Sequence, residues 1–256
     1  MNATTNMAAT DGKPLHDQVA LVTGAGRRIG NAIAVTLARA GAHVVVNYNR
    51  SRAEAQAKVR NITGLGVQAA ALRADVSKPR QVDVMFRALE KRFGRLDILV
   101  NNAAVFFPRP WQELTEEDWD RALGTNLKGA FFCAQRAGRL MMRRKRGAII
   151  NISSLGGLQA WPDYTPYCCS KAGVIMLTRC LAKALAPHIR VNSVAPGAIL
   201  FPGEKRSAMM RNVIRATPLQ SPGCAEDVAQ MVLFLATQAE FVTGQVFAVD
   251  GGKSIP

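Results

Sequence analysis

The fold turns on D-Q-V-A-L-V-T-G-A-G-R-R-I-G, residues 17–30. QVALVT (18–23) reads as a buried β-strand. The chain then passes without a spacer through Gly24, Gly26 and Gly30 into a helical pattern, Ile29 to Ala40, stopped by Gly41. Strand, glycine-rich turn and helix in that order are what a dinucleotide site needs. Gly24 permits the tight turn, Gly26 lets backbone approach a phosphate, and Gly30 lets helix meet strand. The helix start offers N–H donors and partial positive charge to a pyrophosphate. Such a turn can also be a plain connection, so the rest of the chain decides.

Working outward, short β-branched runs keep alternating with helical stretches. HVVVN (43–47), VQAAALRAD (67–75), LDILVNNA (96–103), GAIINISS (147–154), IRVNSVAP (189–196) and GQVFAVDGG (244–252) contain six further strands. Helices are predicted at 52–63, 81–93 and 225–236, the first of them polar and closed by Gly64. Continuous apolar strands separated by helices predict an α/β chain with a parallel sheet covered on both faces. Right-handed crossovers make it a doubly wound Rossmann-type domain with seven strands. No linker divides it, so residues 17–256 read as one domain. The first 16 residues lack a basic start and an apolar core, and are expected to be a disordered lead-in rather than a secretory signal.

The 256 residues are 48% hydrophobic and 20% charged, as in a soluble globular protein, and no run approaches a membrane span. With 33 basic against 18 acidic residues the net charge is +15, a surface that attracts anions or simply stays solvated. Its densest cluster, Arg143-Arg144-Lys145-Arg146, suits a helix C-terminus and lacks the aromatics of a nucleic-acid platform. Five cysteines without C-x-x-C spacing and three scattered histidines argue against zinc and a disulfide framework. No metal site is expected, and free thiols fit a reducing cytoplasm.

At the end of the second strand an NAD site usually places an acid for the ribose hydroxyls. Here Asn47 stands there, in N-Y-N-R-S, followed by Arg50 and Ser51, with Arg28 nearby. That pattern predicts NADP(H); the alternative is that these arginines solvate a helix start. At the chemical end, Tyr167 and Lys171 in Y-C-C-S-K share a helix face. A lysine ammonium beside the phenol is expected to lower its pKa. Ser154 ends the fifth strand, where a parallel sheet binds ligands.

These motifs resemble the short-chain dehydrogenase/reductases over roughly residues 17–256. T-G-A-G-R-R-I-G is similar to their T-G-x-x-x-G-x-G, with Arg28 where the middle glycine usually stands. N-N-A-A (101–104), N-L-K-G (126–129), V-N-S-V-A-P-G (191–197) and V-D-G-G (249–252) extend the match. The resemblance implies a catalytic tetrad. Tyr167 is its general acid, Lys171 lowers the phenol's pKa and holds the nicotinamide ribose, Ser154 polarises the carbonyl, and Asn126 supports a relay water. Ser153 and Tyr164 fall out of register for those roles. Cofactor contacts are implied for Arg27, Arg28, Ile29, Asp75, Val76, Asn102, Ala103, Pro196, Gly197 and Ile199. Two departures stand out: Ala104 replaces a glycine, and Phe201 occupies a position where a threonine often meets the nicotinamide. Leu200 to Thr217 is the expected substrate lid.

Within the family, the first loop and N-N-A-A-V-F-F-P also resemble the pteridine reductases, in which an aromatic stacks on the pterin; Phe106 stands there. Phe107, Trp161, Tyr164 and Phe201 are expected at the same mouth, unless these rings are simply core. Ser154, where pteridine reductases of parasites carry an aspartate, favours a carbonyl. The rival substrates are therefore a carbonyl, for instance a 3-oxoacyl thioester on a carrier docked by the basic cluster, and a dihydropterin. A cofactor- or nucleic-acid-binding protein without chemistry is disfavoured by the intact tetrad. Resemblance also implies a homotetramer packed through helices around 107–143 and 164–186.

Overall fold

Strands β1 (Val19–Val22), β2 (His43–Tyr48), β3 (Ala69–Arg73), β4 (Ile98–Asn101), β5 (Gly147–Ile152), β6 (Ile189–Pro196) and β7 (Val246–Val249) pair in parallel in the order β3-β2-β1-β4-β5-β6-β7. This computed structural model describes residues 12–204 and 207–255, apart from the Met209 side chain. The doubly wound, seven-stranded architecture expected from the alternation is the one observed. Strand order reverses between β1 and β4, which opens a crevice at their carboxyl ends.

Successive strand residues point to opposite faces, and this sorts the core. Ala20, Val22, Val44 and Val46 pack with Ile33 and Leu37 of α1 (Arg28–Arg39) and Val228 and Val232 of α8 (Ala225–Thr237). Val19, Leu21 and Val45 pack on the other face with Val82, Met85 and Leu89 of α3 (Pro79–Phe93) and Cys133, Ala137 and Met141 of α5 (Gly129–Met142). The polar helix α2 (Arg52–Thr63) buries only Ala55 and Ile62.

The lead-in ends earlier than expected. Leu15 is buried in the core and its N–H donates to Ala40 O, so the ordered chain includes residues 12–16; residues 1–11 lie outside the described residues. A single apolar side chain in a short segment without an apolar run is enough, because Leu15 joins the cluster of Ile33 and Leu37.

Two local features position the site. α4 (Glu116–Leu123) starts at a capping box in which Thr115 Oγ1 accepts from Asp118 N (3.2 Å). It runs into α5 through a π-helical turn, Gly124–Lys128, which carries Asn126. α6 (Thr165–Leu185) follows a short 3-10 turn, Pro162–Tyr164, and carries Tyr167 and Lys171. The basic cluster lies at the C-terminal end of α5, where cations suit the helix dipole; Arg143 pairs with Glu90. Among the described residues no helix is long and apolar enough to cross a membrane, and no group of His, Cys, Asp and Glu could hold a metal.

Candidate active site

A cleft of about 2190 Å³ runs along the carboxyl ends of the central strands. At one end lies the glycine turn. Gly24 adopts a φ of +62°, and a Cβ there would meet Ala103 Cα at 3.0 Å. A Cβ on Gly30 would sit 2.5 Å from Asn102 Nδ2 and 2.6 Å from Gly24 O. A Cβ on Gly26 would meet nothing within 4 Å, which leaves backbone open toward the cleft. The turn is tied to the end of β4: Thr23 Oγ1 accepts from Asn102 N (2.9 Å) and Ala103 N (3.0 Å), and Asn102 Nδ2 donates to Thr23 O (2.9 Å) and Gly24 O (3.2 Å). A rigid, side-chain-free turn at the start of α1 fits a dinucleotide's phosphates. Asn102 and Ala103 thus act by shaping the cradle. Thr23, the first position of the glycine motif, to which no role was assigned above, is its anchor.

Asn47 corrects an expectation. It is 1% exposed, and its amide is spent on protein rather than held toward a ribose. Oδ1 accepts from Gly24 N (3.2 Å), while Nδ2 donates to Ala74 O (3.1 Å) and Leu72 O (3.3 Å). Strand alternation turns this side chain under the glycine turn, so Tyr48, Asn49, Arg50 and Ser51 form the cleft wall beyond it. Asp75 lies at the same end with one carboxylate oxygen held by Ser77 N (3.0 Å) and Ser77 Oγ (2.7 Å). Val76 is buried beside it, closely packed on Gly129.

Arg28 has φ +52°, the left-handed region that disfavours L-residues and suits the glycine expected there. Its guanidinium turns to the lid: Nη2 bonds Glu204 Oε1 at 2.9 Å, and the group lies 4.9 Å from the centre of the Phe201 ring. Arg27 is exposed beside it, and Ile29 lines the cleft. The lid carries α7 (Ala208–Arg215), capped by Ser207 Oγ, which accepts from Met210 N (3.1 Å). Met210 and Val213 face the cleft. Pro196 ends β6, Gly197 packs so closely on Asp250 that a Cβ would come within 2.7 Å, and Ile199 bridges to Gly223.

At the other end, Ser154, Tyr167 and Lys171 converge. Ser154 follows β5 in extended conformation, and its Oγ accepts from Gly156 N (3.1 Å). Lys171 is 3% exposed; its Nζ donates to Ile152 O (2.7 Å), and burial pulls its pKa down to about 8. Burial pushes the Tyr167 phenol up to about 12, against the pull of a hydrogen bond with Ser154. The expected lowering of the phenol by lysine is therefore not what the protein chain alone produces. Lys171 Nζ sits 5.7 Å from the Tyr167 ring centre and aims at a backbone carbonyl, so desolvation dominates. Ser153 is out of register as expected: its Oγ donates to Val194 O (3.1 Å) and accepts from Ser193 Oγ (2.7 Å) in the sheet interior.

Asn126 spends its side chain as a clamp. Oδ1 accepts from Val105 N (2.8 Å), and Nδ2 donates to Val105 O (3.1 Å) and Ser170 Oγ (2.9 Å). Over this cluster stand three further rings. Phe106 stacks on Tyr164 (4.5 Å, 8°) and meets Tyr167 edge-on (4.7 Å, 71°); Trp161 lies parallel to Tyr167 at 6.2 Å. Phe106, Trp161, Tyr164 and Phe201 all line the cleft, whereas Phe107 packs beneath Arg121, 5.2 Å away.

A glycine cradle joined to a Ser-Tyr-Lys cluster on this sheet defines an oxidoreductase of the Rossmann type. A family model described as "Enoyl-(Acyl carrier protein) reductase" matches residues 24–254, and the chain belongs to this family, the short-chain dehydrogenase/reductases. It is an enzyme of that family. It is 41% identical over 237 residues to a 3-oxoacyl-[acyl-carrier-protein] reductase of Staphylococcus aureus, covering 91% of this chain and 96% of that one. It is also 41% identical to the Synechocystis protein of the same description, over 92% of this chain and 96% of the other. A solved Serratia marcescens short-chain dehydrogenase/reductase mutant superposes with a TM-score of 0.89 at 33% identity, covering 94% of this chain and 99% of that one.

Proposed function

We propose that this enzyme uses NADPH to reduce a carbonyl to an alcohol, with Tyr167 as the proton donor. The observation that carries this reading is the convergence of two hydroxyls, Ser154 and Tyr167, at one end of a cleft whose other end is a phosphate cradle. Two O–H donors side by side suit one oxygen atom that gains negative charge. A phenol held at about 12 keeps its proton at neutral pH, which serves reduction. Reduced nicotinamide would supply hydride to the carbonyl carbon. Ser154 orients the oxygen, Tyr167 hands it a proton, and Lys171 and Asn126 hold the floor beneath. Ile152 O fixes the Lys171 ammonium at the strand end, where a ribose hydroxyl would meet it.

A guanidinium and a hydroxyl on the wall, from Arg50 and Ser51, favour the 2′-phosphate of NADP(H). The named relatives support a 3-oxoacyl thioester as the substrate class, delivered on an acidic carrier. Arg144, Lys145 and Arg146 are exposed and of the right charge to dock it. Exposed Trp119, Phe131 and Met176 on α4, α5 and α6 support self-association through those helices, as a tetramer.

The test is an NADPH-oxidation screen across 3-oxoacyl thioesters, ketones, quinones and dihydropterins, with NADH in parallel. The best carbonyl compound is expected to exceed the best pterin in kcat/KM by at least about tenfold, because a serine hydroxyl donates to a carbonyl whereas a pterin edge wants an acceptor. A pterin that outperforms every carbonyl would replace this reading with pteridine reduction, which the stacked Phe106 favours.

A further inference from the structure

Ser170 lies between the two reactive residues of α6 and has no place in the chemistry described above. It is 0% exposed, yet it is polar and doubly bonded. Its Oγ donates to Tyr167 O (2.7 Å) and accepts from Asn126 Nδ2 (2.9 Å). Asn126, 2% exposed in its π-helical turn, continues the chain by gripping both the N–H and the carbonyl of Val105. The next residue is Phe106, whose ring touches the Tyr167 ring edge-on. The contacts form a closed circuit from the Tyr167 backbone through Ser170, Asn126 and Val105 to Phe106, and back to Tyr167.

The circuit matters because Phe106 is otherwise weakly held. It is 56% exposed, and its ring contacts are Tyr164 and Tyr167. Its backbone neighbour Val105 is fixed by two hydrogen bonds from one buried amide. That amide is in turn fixed by the Ser170 hydroxyl. A buried N–H that loses its acceptor must find another or move. Removing the hydroxyl leaves one N–H of that amide without its acceptor, and the amide can regain one only by turning away from Val105, which loosens the Val105–Phe106 segment beside the proton donor.

We propose that Ser170 is a positioning residue that tunes substrate selection: through Asn126 and Val105 it holds the Phe106 ring against Tyr167, so that carbonyl compounds bearing a planar ring depend on it more than small aliphatic ones do. The selectivity half of this statement rests on the carbonyl-reductase reading; the positioning half does not.

The test compares wild type, Ser170→Ala, Phe106→Ala and the double variant. With NADPH saturating, kcat/KM is measured for an aryl ketone and for a small aliphatic 3-oxo ester. Ser170→Ala is expected to lower the aryl-to-aliphatic ratio about tenfold, the effect of one buried amide left unpaired. Phe106→Ala lowers the same ratio, and the double variant lowers it no further than Phe106→Ala alone. The volume-matched Ser170→Cys, a weak donor and acceptor, shifts the ratio in the same direction and serves if the alanine variant misfolds. Equal losses on both substrates, or a double variant showing the product of the single effects, overturn the proposal in favour of a general packing role. Near-ultraviolet circular dichroism of the cofactor-free proteins gives a reading without activity. The Ser170→Ala difference spectrum is expected to reproduce the ring-cluster change of Phe106→Ala, and an unchanged spectrum overturns the positioning. If wild type reduces no carbonyl but the spectra shift as expected, the functional reading fails and the positioning stands.

Discussion

Replacing Lys171 by methionine should make the cofactor-free protein more stable at pH 7. The ammonium is buried, and its hydrogen-bond compensation among the described residues is the 2.7 Å bond to Ile152 O. A lysine that titrates at 10.5 in the unfolded chain and at about 8 in the fold is disfavoured in its charged form by about 3 kcal/mol. The variant gives up the bond to Ile152 O, worth about 1 kcal/mol. The net gain is about 2 kcal/mol, a rise in Tm of about 5 °C for a chain of this size. The advantage shrinks as pH rises. Above pH 8 the native lysine loses its proton while the unfolded one keeps it, so wild-type stability climbs until about pH 10.5. By pH 9.5 wild type has recovered about 2 kcal/mol and the gap between the two proteins closes. Thermal scans of both at pH 7 and pH 9.5 measure the difference directly. A methionine variant less stable than wild type at pH 7, or a gap that stays constant with pH, would refute the burial argument. The variant should also lose turnover, because stability and chemistry make opposite demands on this position.

Tyr167→Phe keeps the ring and removes the proton donor; kcat should fall by at least about 100-fold, while NADPH binding, followed by fluorescence titration, persists. Arg50→Glu puts a carboxylate on the ribose wall and should raise KM for NADPH far more than for NADH, so equal effects on both would remove Arg50 from the 2′-phosphate site. Asn47→Asp exchanges a donor for a carboxylate facing the carbonyls of Ala74 and Leu72; urea unfolding should show a loss of about 3 kcal/mol or more, and a stable variant with improved NADH use would restore the ribose role. Arg28→Gly relieves a left-handed residue at about 1 kcal/mol and surrenders an exposed ion pair worth about as little; Tm should hold or rise while trypsin cuts the lid at Arg211 and Arg215 faster.

The sheet was legible because β-branched runs and glycine stops repeat along the chain, and each strand's two faces are written in alternate residues. Tyr167, Lys171 and Ser154 were legible because the spacing on one helix and the end of one strand decide where they point. Asn47 was misread for the same reason that it matters. A polar residue at a strand end can face the cleft or the turn beneath it, and only the glycine turn's own path selects between them. Thr23, Asn126 and Ser170 share that difficulty. Each spends its side chain on the backbone or side chain of a distant segment, from 21 to 80 residues away, and no local pattern records such a partner.

Arg28 shows how a departure from a motif can be read only when both its backbone and its side chain are known. A glycine at that position would serve the left-handed turn without strain. An arginine there keeps the turn at some cost, and its side chain reaches Phe201 and, 176 residues further on, Glu204. The arginine therefore links the glycine turn at the start of α1 to the segment that leads into α7. A guanidinium bonded to one carboxylate retains donors for a second anion. The left-handed backbone at residue 28 and the ion pair to Glu204 are thus two features of one side chain, and only the folded chain relates them.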